Sequence, residues 1–410
     1  MANPMLRAGH LVLAMVLASA WPPMTSAQSP ALPSINPGLG DLGGLVRDPL
    51  RSVTDLGNAA TALADGRIER IGRFVHAHRD RIELNEAGEP ARAHEVLVLD
   101  PDAAMLRIAT TAGFGLIEQG DAGDLGVAYA RLSTPAGASL STSIRGLRRL
   151  LPDRTVTADV IHFTSGAMHQ AVPASASRDV SPHDAAVGII DGGVPPTARI
   201  FAQAGFATGA PHADGHAQAI ISLLAGAGMA RIAVADVYGT DAGGGSALAI
   251  ARALGWMQAR GVRVVSISLV GPANPLLARV VAAVQSRGLI VVAAVGNDGA
   301  AAPPAYPASY PGVIAVTGVD GHHRVLFEAG HALHIDYAAP GADLTAIDLD
   351  GHARRLRGTS FAAPLVAARL ATLGAGANGQ VLLLRAEHEA IAPGPRTGHG
   401  ILCDTCRHGI

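Results

Sequence analysis

Only two cysteines occur in 410 residues, and they stand together near the carboxyl end as Cys403 and Cys406. A disulfide framework is therefore excluded as the source of stability. The CxxC pair suits one local disulfide in an oxidising compartment; a metal site with His399 or His408 is the lesser alternative, because a single CxxC brings too few ligands. Aromatic residues make up only 3% of the chain, against 49 glycines, which argues for close packing of helices on sheet and against an aromatic-rich binding surface. Long blocks of like charge are missing and the net charge is −2, so neither nucleic acid nor an acidic surface is expected as a partner. No apolar stretch reaches the roughly 20 residues that span a bilayer, and stable membrane insertion is not expected. What remains is a 49% hydrophobic chain, long enough for one large core and a smaller second one.

Residues 1–27 have the pattern of an export signal. Arg7 and His10 precede an apolar run from Leu11 to Trp21, and Thr25, Ser26 and Ala27 offer a small-residue cleavage site. The expected product is secreted, to a periplasm or beyond the cell. Residues 28–94 read as a flexible lead-in followed by two short helices, in which Leu56, Ala60, Leu63, Ile68, Ile71 and Val75 recur at mostly helical spacing with a break at Gly66. Residues 95–163 alternate as strand, helix, strand, strand, helix, strand, the order of a small ferredoxin-like α+β unit. A Gly-, Pro- and Ser-bearing linker over 164–184 marks a domain boundary.

From residue 185 to 402 the pattern is that of a doubly wound α/β domain. AAVGIID, RIAVADVY, VRVVSISL, LIVVAAV and VIAVTGV are buried-strand runs, and crossover helices are expected over 246–260 and 275–287, each followed by glycine. A tail of residues 403–410 carries the two cysteines.

Four polar residues fall where such a domain places chemistry. Asp191 ends a buried strand, at the edge where open α/β sheets bind ligands, although Gly192 and Gly193 also suit a plain turn aspartate. His216 opens the apolar helix HAQAIISLLAG. Ser360 stands in GTSFAAPLVAARLA, with Pro364 expected in the first turn of a buried helix, so that backbone N–H groups and the helix dipole face the hydroxyl. Its bland alternative is an N-cap serine. Asn297 sits in the turn GNDG, from which its amide can reach the same point.

Aspartate, histidine and serine in that chain order match the subtilisin triad. VGIIDGGV, HAQAIISLLAG, SISLVGP, VVAAVGNDG and GTSFAAP resemble the sequence blocks of the subtilase family over most of residues 185–402. The resemblance implies Asp191, His216 and Ser360 as catalytic residues and an oxyanion hole of Asn297 with the Ser360 N–H. It further implies substrate contacts from Ser268, Leu269 and Gly271, and a specificity-pocket wall of Ala294, Val295 and Gly296. The histidine block departs from the family in having Ala217 and Gln218 where Gly and Thr are usual. His212 is a nearby competitor, but only His216 keeps the register of the helix.

Protein or peptide substrates, and no required cofactor, are what this resemblance implies. No DxDxDG loop is present, and calcium, which many family members bind through scattered oxygens, stays open. His322, His323, His331 and His334 lack acidic or cysteine partners at ligand spacing and are expected on a surface hairpin. By the same resemblance, residues 95–163 are an inhibitory propeptide that the chain cuts off itself within 164–184. Two rivals remain: an inactive subtilase-like scaffold that binds or chaperones, and an acyl-transfer enzyme joining peptides.

Overall fold

The computed structural model describes residues 53–171, 183–374 and 379–407. The export segment, the lead-in and the middle of the linker lie outside them. The larger body is built on a seven-stranded sheet with every pairing parallel. Its strands run in the order Tyr337–Pro340, Ile314–Val319, Ile290–Ala294, Val264–Ile267, His183–Asp191, Met229–Asp236 and Ile200–Gly205. The chain enters in the middle at His183–Asp191, builds to one edge, then returns to build the other. The reversal falls between His183–Asp191 and Val264–Ile267, so the carboxyl ends of these two strands flank the crevice where such sheets hold ligands.

Side chains alternate between two cores, as strand geometry requires. Ile190, Ala233, Val265, Ile267 and Val291 face the helices Ala247–Ala259 and Pro275–Ser286. Val187, Ile189, Ile232, Val234 and Val292 face Gly215–Gly226 and Thr359–Leu373. The two edge strands Ile200–Gly205 and Tyr337–Pro340, and the helix Gly379–Glu389, are elements that the sequence patterns do not announce.

In the amino-terminal unit, strand Pro90–Leu99 lies between Ala128–Ser133 and Val156–Val160, with Gly115–Asp121 outside, all antiparallel. Helices Ala103–Thr111 and Leu140–Leu150 pack into the same core. Val96, Leu97, Val98 and Leu99 are all fully buried, so both faces of this sheet are covered. The second cover is the larger body, at helices Ala247–Ala259 and Pro275–Ser286. There Asn274 Nδ2 donates to the Ala158 carbonyl (2.9 Å) and Leu248 N–H to Asp159 (2.9 Å).

The two short helices expected before this unit are one helix, Val53–Ala77, running through Gly66. An interior glycine costs about 1 kcal/mol. Burying Leu63 and Phe74, which lie on one face of the helix, contributes about 1.5–3 kcal/mol each. Docking therefore outweighs the local preference. Ile68, at the expected helical spacing, is 67% exposed and plays no part in it.

The histidine segment is only partly a hairpin. His322 and His323 occupy the turn closed by Asp320 and Arg324, whereas His334 lies farther on, within 2.8 Å of the Val313 carbonyl through its Nε2. Cys403 and Cys406 are joined in a disulfide, the first of the two readings open to them.

Candidate active site

Asp191, His216, Asn297 and Ser360 come from four separate elements that end at the carboxyl edge of the parallel sheet. Asp191, fully buried, accepts the Gly192 N–H at 2.8 Å. His216 is the second residue of its helix. The N-cap, Asp214, accepts the backbone N–H groups of His216 (2.9 Å) and Ala217 (3.1 Å) and so fixes where that helix begins. His216 Nδ1 lies 3.1 Å from both Asp191 carboxylate oxygens, and its Nε2 lies 3.0 Å from Ser360 Oγ. A proton on Nδ1, held by Asp191, leaves the Nε2 lone pair for the serine hydroxyl. Burial opposes a charged His216, but Asp191 and Asp214 more than offset it, and its pKa is raised. Burial, reinforced by Asp191, also raises the Asp214 carboxyl.

Ser360 is the second residue of Thr359–Leu373. Pro364 is inside this helix, not in its first turn. Because proline has no N–H, the Ser360 carbonyl loses its intrahelical partner. The Ser268 hydroxyl takes the vacant place, donating to Ser360 O at 2.7 Å. Gly358, at φ +144°, precedes the helix; a Cβ there would come within 2.8 Å of Asn297 Nδ2 and 3.1 Å of the Ser165 carbonyl oxygen. Only glycine fits between those groups.

That carbonyl belongs to the chain's own linker. Ser165 O accepts from Asn297 Nδ2 at 2.5 Å and from the Ser360 N–H at 3.2 Å. The amide is aimed by Thr359, whose N–H donates to Asn297 Oδ1 at 3.0 Å. Immediately after it comes Gly166, where a Cβ would lie 2.2 Å from Ser360 Oγ and 3.1 Å from His216 Nε2. Upstream, Thr164 pairs with Leu269 and Phe163 with Val270 as antiparallel strands, and the Ser165 N–H reaches the Ser268 carbonyl at 3.4 Å. Downstream, Ala167–Ala171 pairs with Ala353–Arg357. Residues on both sides of the Ser165–Gly166 bond are thus held in extended form across the triad.

Of the residues expected to touch substrate, Gly271 lines the pocket beside the cleft without pairing with the linker, and Ala294 stands elsewhere. Gly271 pairs with Tyr306, and its missing Cβ leaves room for the His162 ring, 2.6 Å from where that atom would be. Val270 takes the pairing role instead. Val295 and Gly296 line the pocket beside the cleft, but Ala294, at the end of its strand, is in the core. His212 is exposed, with its backbone N–H on Asp236. Ala217 is fully buried, its methyl packed in the second core, and Gln218 is half-buried. Of the residues overlooked, Asp214 had a signal, an aspartate just before an apolar helical run. Thr359 and Ser165 had none, since their roles depend on partners far away in the chain.

The family model described as the subtilase family matches residues 201–389. Subtilisin BL of Lederbergia lenta is 30% identical over 218 residues, covering 49% of this chain and 80% of that protein. The alkaline protease of Shouchella clausii is 30% identical over 231 residues, covering 52% of this chain and 60% of that one. Among solved structures, fervidolysin from Fervidobacterium pennivorans, a keratinolytic enzyme related to subtilisin, superposes with a TM-score of 0.64 at 16% identity. The match covers 78% of this chain and 61% of fervidolysin, and the likeness is one of fold.

Proposed function

The chain belongs to the subtilase family and is a subtilisin-like serine peptidase, and we propose that it is an exported endopeptidase made as a zymogen that cuts its own Ser165–Gly166 bond. The observation that carries this reading is the Ser165 carbonyl, bonded to Asn297 and to the Ser360 N–H while the Ser360 hydroxyl is bonded to His216. In the proposed reaction Ser360 Oγ attacks the Ser165 carbonyl carbon as His216 Nε2 takes its proton. Asp191 holds the imidazole tautomer and stabilises the cation that forms. Negative charge develops on the Ser165 oxygen, between two donors already in place. His216 then returns the proton to the departing Gly166 amine, and water hydrolyses the ester at Ser360 to leave a Ser165 carboxylate. Other proteins would be cut by the same steps once the amino-terminal unit vacates the cleft.

Until then residues 163–171 occupy both sides of the site, which supports an inhibitory role for the unit ending at Ile161–Phe163. Export rests on the pattern of residues 1–27; among the described residues no helix is long and apolar enough to cross a membrane. The test is amino-terminal sequencing of protein refolded from the full chain. Gly166 is expected as the new terminus in the wild type, and no cut there in Ser360→Ala. A Ser360→Ala chain that still acquires the Gly166 terminus in purified form overturns self-processing. Casein cleavage and fluorophosphonate labelling by the wild type, both absent in Ser360→Ala, are the expected signs of endopeptidase activity.

A further inference from the structure

Beside the cleft lies an open pocket of about 740 Å³, lined by Val270, Val295 and Ala302 from the body and by Phe74, Ile161 and Phe163 from the amino-terminal part of the chain. Among the described residues, Asp298 is the one charged side chain that the body contributes to it. It directly follows the oxyanion donor Asn297 and is only 7% exposed. Such a carboxylate is ordinarily satisfied by neighbouring backbone N–H groups or a local cation. Asp298 is instead held by Arg70 through a close hydrogen-bonded pair and by Arg67 Nε at 3.5 Å. Both arginines project from helix Val53–Ala77, which precedes the Ser165–Gly166 bond in the chain, whereas Asp298 follows it. Burial lifts the Asp298 pKa above its usual range in spite of both guanidiniums, and Ile71, Phe74, Ile161 and Phe163 of the amino-terminal unit share in that burial.

We infer that Asp298 makes the enzyme select substrates with an arginine on the acyl side of the cleaved bond, and that Arg67 and Arg70 occupy that arginine's place in the zymogen. The inference rests on the endopeptidase reading and names its substrate class. When the amino-terminal unit leaves, Asp298 loses both cations on a wall whose other residues, among them Val270, Val295 and Ala302, are apolar or glycine, and a substrate that covers it again must bring a partner for the carboxylate. A guanidinium satisfies it with directed, charge-assisted bonds. The substrate positions able to supply it follow from strand geometry. Side chains two apart share a face, and Phe163 already lines the pocket, so the residues standing at positions 163 and 165 of a bound substrate face Asp298. Leu63 packs on Gly299 and Phe74 packs edge-on to Phe163 at 5.3 Å, which holds the two arginines in place. Gly66, one turn before Arg70, belongs to the same device: a Cβ there would lie 3.3 Å from the Arg70 guanidinium.

The test compares peptides that carry arginine or its uncharged isostere citrulline at either of these positions. For the processed enzyme, kcat/KM is expected to favour arginine by about 10- to 100-fold, the scale of one hydrogen-bonded charge; equal rates overturn the inference. Asp298→Asn is expected to bring that ratio to about one, and an unchanged ratio overturns it. A second readout needs no turnover. In the full chain carrying Arg67→Gln, Arg70→Gln and Ser360→Ala, p-aminobenzamidine is expected to fluoresce on binding, and to lose that signal when Asp298→Asn is added. Absence of binding before Asp298 is changed, or binding that survives the change, overturns the inference. An enzyme that cuts neither peptide counts against the catalytic reading, while the benzamidine titration still decides this one.

Discussion

Two buried aspartates a few residues from the same cleft are satisfied in opposite ways. Asp191 draws its partners from the body itself, the Gly192 N–H and the His216 ring. Asp298 draws them from Arg67 and Arg70, more than 220 residues earlier in the chain. In the proposed processing the first arrangement would survive loss of the amino-terminal unit and the second would not. On that proposal, the group that works in catalysis is completed by the body, whereas the group to be vacated for substrate is completed by the part that would depart.

The largest effects should come from breaking the local side of this contrast. Asp191→Asn is expected to lower kcat by about 10⁴-fold, because the imidazole loses its tautomer and orientation. Steady-state kinetics on a peptide substrate would measure it, and a loss under tenfold would remove Asp191 from the catalytic chain. Asn297→Ala should lower kcat by about 10²- to 10³-fold with little change in KM, since its amide bears on charge that appears only as the reaction proceeds. An effect confined to KM would instead make Asn297 a binding group.

Smaller effects should come from the borrowed side. In the uncut Ser360→Ala chain, Arg67→Gln with Arg70→Gln is expected to lower unfolding free energy by about 1–3 kcal/mol, because Asp298 is left buried without its cations. Adding Asp298→Asn should recover part of that loss in urea titrations. If it recovers none, the pair contributes through helix packing alone.

The smallest expected effect is a pH dependence at the seam between the units, where two buried groups act in opposite directions. Burial pushes Asp159 up to about 6 from 3.8, against the Leu248 N–H, Arg92 and Ser246, while burial pushes the His162 ring down to about 4 from 6.5. A raised carboxyl adds stability that is present below pH 3.8 and lost as pH rises through 6. A depressed histidine adds stability that is present above pH 6.5 and lost as pH falls through 4. Relative to the uncut Ser360→Ala parent, Asp159→Asn should therefore gain melting temperature as pH rises across its window. His162→Phe should gain it as pH falls across the other. Parallel pH profiles for all three chains would show that neither group carries the dependence.

The strands ending at Asp191 and Ala294 and the helices starting at Gly215 and Thr359 could be read from the sequence because each has a local signature. Those signatures are a β-branched apolar run, an apolar helical face, or a glycine before a helix. Elements held mainly by their neighbours were harder to read. Strand Ile200–Gly205 is half exposed along its length, and Tyr337–Pro340 is four residues of mostly small side chains, so neither carries a strand signal. Gly66 signals a break that docking overrides, and Pro364 sits deep in a helix because Ser268 satisfies the carbonyl it leaves open.

The sequence by itself determined the chemistry: a carboxylate, an imidazole, an amide and a hydroxyl, each at a strand end or helix start, in an order that makes one hydrogen-bonded chain possible. Only the tertiary structure decided which peptide bond that chain faces and which cations cover Asp298. Periodicity and capping act over a few residues, whereas the pairing of Phe163 and Thr164 with Val270 and Leu269, and the reach of Arg70 to Asp298, join segments more than a hundred residues apart. Such pairings are selected by the burial and charge balance of the whole assembly, and no local pattern records them.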